Sequence, residues 1–455
     1  MKHVHYFTKG LLMAGFCLAL GACSNDDLLE LEQDKTQDES TTQTIAMEFI
    51  GDVVGFDQQS NAAKEQTRAT SSSWTNGDKI YITFYNGSNI VPGEATYSSS
   101  SGWSVSYDGN LGTGSNLKCE ARYFVNATFS SSSLVSLNSN TEIYEDLNGT
   151  YAYSNGSLTV QASLTPKTGR IRFTGTSGAK IYTTGISVYT TFSPAINQFS
   201  SSNAMITSTV ASNGSTPYIY GSFADADRNL GIVGSNFAYT RTCTSDMLKT
   251  GESGYMAIPS ESSHNNWRSG LYVKASGVEF KMIPVTGHSG GFFLIGETEV
   301  TEALYNTVNG SMSSSQLPAS GMSYQNINSF IEKVNNQTML NFSLPTSSQW
   351  TYAAKGGTKS QNYTYSGSNT PGDVAWYSAN SNSTRHNVKT KAPNELGIYD
   401  MSGNVSEHVY TTSTSSSKPL YGGSYLSNSS DCTPTSYTNN YSEPWIGFRL
   451  ILICQ

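Results

Sequence analysis

Between residues 41 and 275, apolar residues recur at every second position in short runs, and no run sustains a helical period. Ile45, Met47 and Phe49 alternate with Ala46 and Glu48; Ile80, Ile82 and Phe84 alternate with Tyr81, Thr83 and Tyr85; Ile171 and Phe173 alternate with Arg170 and Arg172. Strand side chains point to opposite faces in turn, so each run forms a ribbon with one apolar face. Asn76-Gly77, Asn86-Gly87, Asn155-Gly156 and Asn213-Gly214 punctuate the runs. Asn and Gly adopt positive φ at low cost, which suits tight hairpin turns. Many short strands joined this way predict antiparallel β-sandwiches. At 455 residues the chain exceeds one ordinary core. We expect a first sandwich over residues 41–165, a second over 166–275 divided from it near Pro166, and a domain of different texture over 276–455.

Charged residues make up only 13% of the chain, against a usual figure of about 25%. With 28 Tyr and 41 Gly, this composition suits an exported β-rich protein. The formal charge is 26 − 34 = −8, which lacks the basic footprint of a nucleic-acid binder. No CxxC pair and no HExxH motif occurs, so a dedicated zinc site is not expected.

Residues 1–22 have a signal-peptide pattern: Lys2 and Lys9, then an apolar run too short to span a bilayer. Leu20-Gly21-Ala22-Cys23 resembles a bacterial lipobox, which implies that Cys23 becomes a lipidated first residue. Residues 23–40 form an acidic tether with Asp26, Asp27, Glu30, Glu32, Asp34, Asp38 and Glu39. This tether resembles the signal that sends lipoproteins of Bacteroidetes-type bacteria to the outer face of the outer membrane. The remaining thiols, Cys119, Cys243, Cys432 and Cys454, leave disulfide connectivity open.

Thr67-Arg68-Ala69-Thr70, followed by Trp74-Thr75-Asn76-Gly77-Asp78-Lys79-Ile80, resembles the start of fimbrillin-type (type V) pilus proteins. That resemblance implies two tandem β-sandwiches and partnership with other pilus subunits by strand exchange. It also makes Arg68 a candidate cleavage site, with the strand over residues 45–49 released so that a neighbour's strand fills the groove. The alternative is that Arg68 is an ordinary loop residue and the first strand stays.

From about residue 276 the pattern turns helical. Glu299 to Tyr305 is expected to be a helix. Ser323 caps a second, with Ile327, Phe330, Ile331 and Val334 at i, i+3, i+4 and i+7. Thr346 and Gln349 form a capping box on a third, which Gly356-Gly357 stops. The matching motifs are Glu299-Val300-Thr301, Leu344-Pro345-Thr346, Trp350-Thr351-Tyr352-Ala353-Ala354-Lys355-Gly356-Gly357, Asp373-Val374-Ala375-Trp376-Tyr377, residues 394–405, Gly422-Gly423-Ser424-Tyr425 and Gly447-Phe448-Arg449-Leu450. In this order they resemble the formylglycine-generating, sulfatase-modifying-factor domain. The resemblance implies an irregular α+β fold related to C-type lectins, with loops carrying the binding surface.

That family's oxidase uses two copper-binding cysteines after the Gly-Gly-Ser segment. The second aligns with Cys432, but the first falls at Ser427, whose hydroxyl is a poor ligand for Cu(I). A copper-dependent formylglycine-generating oxidoreductase acting through Cys432 is therefore the alternative function. The favoured reading of Cys432 is a small, partly buried residue. The family's Gly-Asn-x-x-Glu turn also implies a structural calcium held by Asn404 and Glu407; otherwise Asn404 caps a turn and Glu407 is exposed. No other cofactor is required. His264, His288, His386 and His408 show no triad or ligand spacing and are expected at the surface or in turns.

Residues 421–444 consist almost wholly of Tyr, Ser, Asn, Thr and Asp, with Gly and Pro. Antibody paratopes use this palette: Tyr supplies contact area at low entropic cost, and Ser and Asn supply adaptable hydrogen bonds. The segment is similar to the C-terminal variable segment of retroelement-diversified proteins built on the same lectin-like scaffold. Tyr425, Asn428, Asp431, Tyr437, Asn439, Asn440 and Tyr441 are the expected ligand contacts, with Trp445 equally suited to framework. The function expected is a lipid-anchored pilus-tip adhesin at the cell surface, binding a glycan or protein ligand. A structural surface protein without either role is a third reading.

Overall fold

The computed structural model describes residues 42–54, 57–58, 74–125, 127–131, 134–203, 205–222, 228–243, 249–258, 267–411, 418–439 and 443–454. Its first region is one sheet that closes on itself. From Gln43–Ile50 the order runs through Gly102–Tyr107, Asn89–Ser98, Lys79–Asn86, Gly114–Val125 and Glu142–Ser154 to Ser157–Gln161. Ser157–Gln161 then pairs with Gln43–Ile50 in parallel, Met47 opposite Leu158, and completes the ring. This corrects the expected first sandwich. The pairing of Gly114–Val125 with Glu142–Ser154 shifts register twice, between Gly114 and Leu117 and between Cys119 and Ala121. Such irregularities bend and twist a strand, so long strands can curl into a closed sheet. Ile80, Ile82, Phe84, Val105, Ala121, Tyr151 and Val160 fill the interior. Asn155 and Gly156 have φ of 50° and 80° at the tip of the final hairpin, as the Asn-Gly signal predicts.

The second region does pack two sheets face to face. Gly169–Thr174 lies between Ile219–Gly221 and Glu252–Ala257; Lys180–Thr184 and Arg228–Val233 belong to the opposing sheet. Ile171, Phe173 and Ile219 meet Ile181, Leu230 and Ile232 in one core. The pairing is mixed, because Gly169–Thr174 runs parallel to Glu252–Ala257. A further sheet crosses the expected boundary: Thr128–Ser131 and Leu134–Ser136 from the first region join Val188–Ser193 and Gln198–Ser202 from the second. There Arg122 donates to Asn197 Oδ1 at 2.5 Å and to Glu120 Oε2 at 3.0 Å, which ties the two regions together.

The C-terminal sheet has the order Leu271–Ala275, Val278–Val285, Phe293–Gly296, Ile451–Leu452, Phe342–Ser343. Its first strand precedes residue 276, so the sheet begins earlier than expected. Ser276 and Gly277, with φ of 48° and 81°, form the hairpin turn that makes these strands one unit. Helices α1 (Glu302–Val308), α2 (Tyr324–Thr338) and α3 (Ser347–Ala354) follow, and α4 (Pro371–Val374) is a single turn. The caps sit where the sequence puts them: Ser323 Oγ accepts from Asn326 N, and Thr346 and Gln349 satisfy each other's backbone N–H. The first helix starts later than expected, after Thr301, because Glu299 and Val300 bury themselves in the fold. Ile327, Phe330, Ile331 and Val334 of α2 pack on Leu271, Val273 and Phe448, and the same core takes in Tyr182, Val233 and Ala238 of the second region.

Candidate binding site at the C-terminal loops

A second C-terminal sheet positions the loops. Ser406–His408 runs parallel to Ile446–Phe448 and antiparallel to Pro419–Tyr421, which pairs with Tyr437–Asn439. Tyr421 faces Tyr437 in register, so residues 422–436 form an excursion tied at its base. Gly423 has φ of 67°, and a Cβ there would lie 2.8 Å from Cys432 Sγ and 2.9 Å from the Asp431 carbonyl oxygen. The loop can close this tightly only with glycine. Ser424 N donates to Ser427 Oγ at 2.9 Å, and Ser381 Oγ donates to the Tyr425 carbonyl at 2.6 Å.

Beneath the loop lies a buried charge cluster. Arg449, 0% exposed, donates Nε to Glu407 Oε2 at 2.7 Å and Nη2 to Glu407 Oε1 at 2.5 Å. Its Nη1 donates to the Gly296 carbonyl at 3.1 Å, and Trp350 Nε1 donates to Glu407 Oε2 at 2.7 Å. Two more buried carboxylates share this one guanidinium. Burial pushes Asp400 up to about 6. Burial first, and then Asp400 and Glu407, push Glu299 well above the usual carboxylate range. Above the cluster, the Trp350 ring lies 5.3 Å from Tyr421, and Tyr421 stacks on Tyr437 at 5.7 Å. A column of rings thus runs from the buried ion pair to Tyr437, which is 59% exposed.

The calcium residues do not fit a calcium ion. Both Glu407 oxygens accept from Arg449, and one also accepts from Trp350. Asn404 Oδ1 accepts from His386 N at 3.0 Å, and Asn404 Nδ2 donates to Glu299 Oε2 at 2.9 Å. Calcium needs a shell of free oxygen ligands, and here a buried cation already holds the carboxylate. The expectation of an exposed Glu407 is corrected as well, since the residue is buried with Arg449. Nor does the copper pair fit. Cys432 is completely buried, its thiol donates to the Asn428 carbonyl at 3.5 Å, and burial pushes its pKa up to about 12. Cu(I) needs accessible thiolates, and the hydroxyl of Ser427 is bonded within the loop. Cys119, Cys432 and Cys454 are all free. His408 is buried rather than at the surface, and neither of its ring nitrogens has a hydrogen-bond partner among the described residues.

A cleft of about 480 Å³ opens beside the exposed end of the ring column. Asp431, Tyr437 and Asn439 line it together with Ser427, Ser436 and Trp445. Tyr425 goes elsewhere: only 9% exposed, it lines a neighbouring cleft of about 430 Å³ with Arg385 and Glu443. Asn428 is exposed and stands just before the turn Ser429–Cys432, with no capping hydrogen bond from its side chain. Asn440, Tyr441, Cys23 and Arg68 lie outside the described residues. Sequence reasoning missed the Trp350–Glu407–Arg449 support. Trp350 and Arg449 stand in motifs noted for fold alone, Glu407 was expected to hold calcium or lie exposed, and hydropathy gives no sign of a buried pair. No helix among the described residues is long and apolar enough to cross a membrane.

Comparison with known proteins bears on this region. A chaperone protein, LppX, of Paenibacillus barcinonensis is 50% identical over a stretch covering 14% of this chain and 30% of the relative. The chain therefore spans less than a third of that relative's length. Among solved structures, variable protein 1 of Treponema denticola shares 25% identity, covering 40% of this chain and 98% of its own, at a TM-score of 0.35. A fimbrial protein from Bacteroides ovatus shares 7% identity over 91% of this chain and 100% of its own, at a TM-score of 0.26. The family model described as the sulfatase-modifying factor enzyme 1-like domain matches residues 263–453. This interval includes α1 to α4, the two C-terminal sheets described above and the loop cleft, so the C-terminal region of this chain carries a sulfatase-modifying factor enzyme 1-like domain.

Proposed function

We propose that this chain is an exported, lipid-anchored surface protein, associated with pili, that binds a ligand through the cleft at its C-terminal loops. The observation that carries the reading is the cleft lined by Asp431, Tyr437, Asn439 and Trp445 beside a ring column seated on a buried ion pair. A rigid base with a mostly exposed aromatic end and short polar neighbours fits recognition rather than turnover, because binding gains most from preorganised contacts. The buried, protonated thiol of Cys432 beside a Ser427 hydroxyl favours the same choice over an oxidase.

Assembly with other subunits would use the first strand. Gln43–Ile50 buries only Met47 fully, and Ile45 and Phe49 are half-buried. Its release would cost little core while opening the edges of Gly102–Tyr107 and Ser157–Gln161 to a neighbour's strand.

Beads coated with the purified chain, offered to a panel of epithelial cells, mucin and bacterial surfaces, test the binding role. Adhesion should be lost in the Tyr437→Ala, Asn439→Ala double variant at unchanged melting temperature; undiminished adhesion moves the site elsewhere. Labelled palmitate should enter the native chain but not Cys23→Ala, and equal labelling would remove the lipid anchor. A chain starting after Ile50 should capture a synthetic peptide of the Gln43–Ile50 sequence; failure to do so would argue against strand exchange.

A further inference from the structure

From Pro419 to Trp445 the only charged residues are Asp431 and Glu443, both acids. The two stand in different clefts, Asp431 beside Tyr437 and Trp445, Glu443 beside Tyr425, and residues 443–445 contribute to both. Among the described residues, neither carboxylate has a basic partner. Asp431 Oδ1 accepts only a long bond from Ser430 Oγ at 3.4 Å. The nearby cations are engaged elsewhere. Arg385 Nη1 donates to Glu302 Oε1 at 2.9 Å and to the Pro318 carbonyl at 2.6 Å. Lys418 Nζ sits over the Tyr324 ring at 4.5 Å from its centroid and donates to Thr411 Oγ1 at 2.9 Å. The remaining walls of the Asp431 cleft are neutral: two aromatic side chains, Leu420, Gly423, hydroxyls and the Asn439 amide.

A carboxylate beside aromatic faces, with no cation of the protein's own, is the chemistry that receives a cation. The carboxylate supplies charge-assisted hydrogen bonds, and the rings supply the negative face of their quadrupoles. A neutral sugar would use the rings and the amide but would leave the uncompensated charge without a role. Resting on the proposed binding role of this cleft, we infer that its occupant is a basic side chain, a lysine ammonium or an arginine guanidinium, presented by a partner protein and held between Asp431 and the rings of Tyr437 and Trp445. Adhesion through this face then depends on ionic strength, because the contact is made at the surface where salt screens it.

Saturation-transfer NMR on the full chain tests the inference. The probes are Nα-acetyl-arginine methylamide, Nα-acetyl-lysine methylamide, the uncharged isostere Nα-acetyl-citrulline methylamide and the methyl glycosides of galactose and mannose. The arginine or lysine probe should bind saturably, with the tighter of the two identifying the side chain recognised. Citrulline should bind about tenfold more weakly or worse, Asp431→Asn should cost the cationic probe about tenfold, and added salt should weaken it. Asp431 is exposed, so this variant leaves the fold intact; Tyr437→Ala should weaken the same probe. Equal binding of citrulline and arginine, undiminished binding to Asp431→Asn, or no binding of either cation would overturn the inference. Glycoside binding that Tyr437→Ala abolishes would overturn it while leaving the cleft as a binding site. No probe bound, together with adhesion indifferent to Tyr437, would remove both.

Discussion

Trp350 donates its indole N–H to the same Glu407 oxygen that Arg449 Nε reaches, both at 2.7 Å. The C-terminal domain is thus pinned at one carboxylate that joins α3, the strand Ser406–His408 and the Gly-Phe-Arg-Leu segment. Removing one partner of such a buried pair leaves an uncompensated charge, at a cost of about 3–5 kcal/mol. Glu407→Gln should destabilise the domain by about 3 kcal/mol, the lower end of that range, because Asp400 and Glu299 remain near Arg449 to ionise in its place. Chemical denaturation followed by tryptophan fluorescence measures this, and a loss too small to resolve would mean the pair contributes little.

Asp400 gives a pH dependence of definite sign. Its folded pKa is raised from the ordinary 3.8 to about 6, with burial the main cause. The folded state therefore binds the proton more tightly, so this group's stabilisation is full below pH 3.8 and is lost as pH rises through about 6. Asp400→Asn keeps an oxygen for the Lys389 N–H, which the native carboxylate accepts at 2.9 Å. The variant should gain melting temperature relative to the parent across that interval and hold the gain above it. Parallel curves for the two proteins would contradict the assignment.

His408 acts in the opposite sense. Burial first, then Lys418, lowers its pKa from 6.5 to about 4, and neither ring nitrogen has a hydrogen-bond partner among the described residues. Unfolding frees the ring to take up a proton, so stability falls as pH drops from 6.5 towards 4. His408→Phe keeps a ring edge-on to Tyr324, where the native centroids are 5.6 Å apart. It should stabilise the domain by about 2 kcal/mol more at pH 5 than at pH 8. A benefit equal at both pH values would show that the imidazole does not titrate on unfolding.

Cys432 should resist alkylation. A completely buried thiol with its pKa pushed up to about 12 offers almost no thiolate at pH 8. Iodoacetamide followed by mass spectrometry of the fragment carrying Cys432 should find it unmodified in the folded protein and fully modified in denaturant. Rapid labelling of the folded chain would reopen a redox role.

What the sequence shows of this molecule is chiefly local. The period-two runs, the Asn-Gly turn at Asn155 and the caps at Ser323 and Thr346 depend on neighbours within a few residues, and the structure keeps them. The closure of the first sheet depends on the register of Met47 against Leu158 and on two irregularities opposite Glu142–Ser154, none of which leaves a local mark. Leu271, Val273 and Ala275 show a strand period plainly, but its allegiance to the C-terminal sheet is decided by the Ser276-Gly277 turn. In the cleft, Asp431, Tyr437 and Asn439 were legible from their palette. The inward placement of Tyr425 and the burial of Glu407 and His408 were not, because hydropathy places such groups outside and only a tertiary partner or a packed wall holds them in.

The parallel pairing of Gln43–Ile50 also sets an order of events. Glu48 and Thr159 stand 111 residues apart, and the strand's other neighbour, Gly102–Tyr107, is nearer in the chain. A chain synthesised from its N-terminus presents the first strand long before Ser157–Gln161 emerges to complete the ring, and distant pairings of this kind close slowly. The last seam of the barrel to zip is then the one flanking its first strand, and during that interval the growing chain exposes an unfinished sheet whose two open edges are those of Glu142–Ser154 and of the first strand itself.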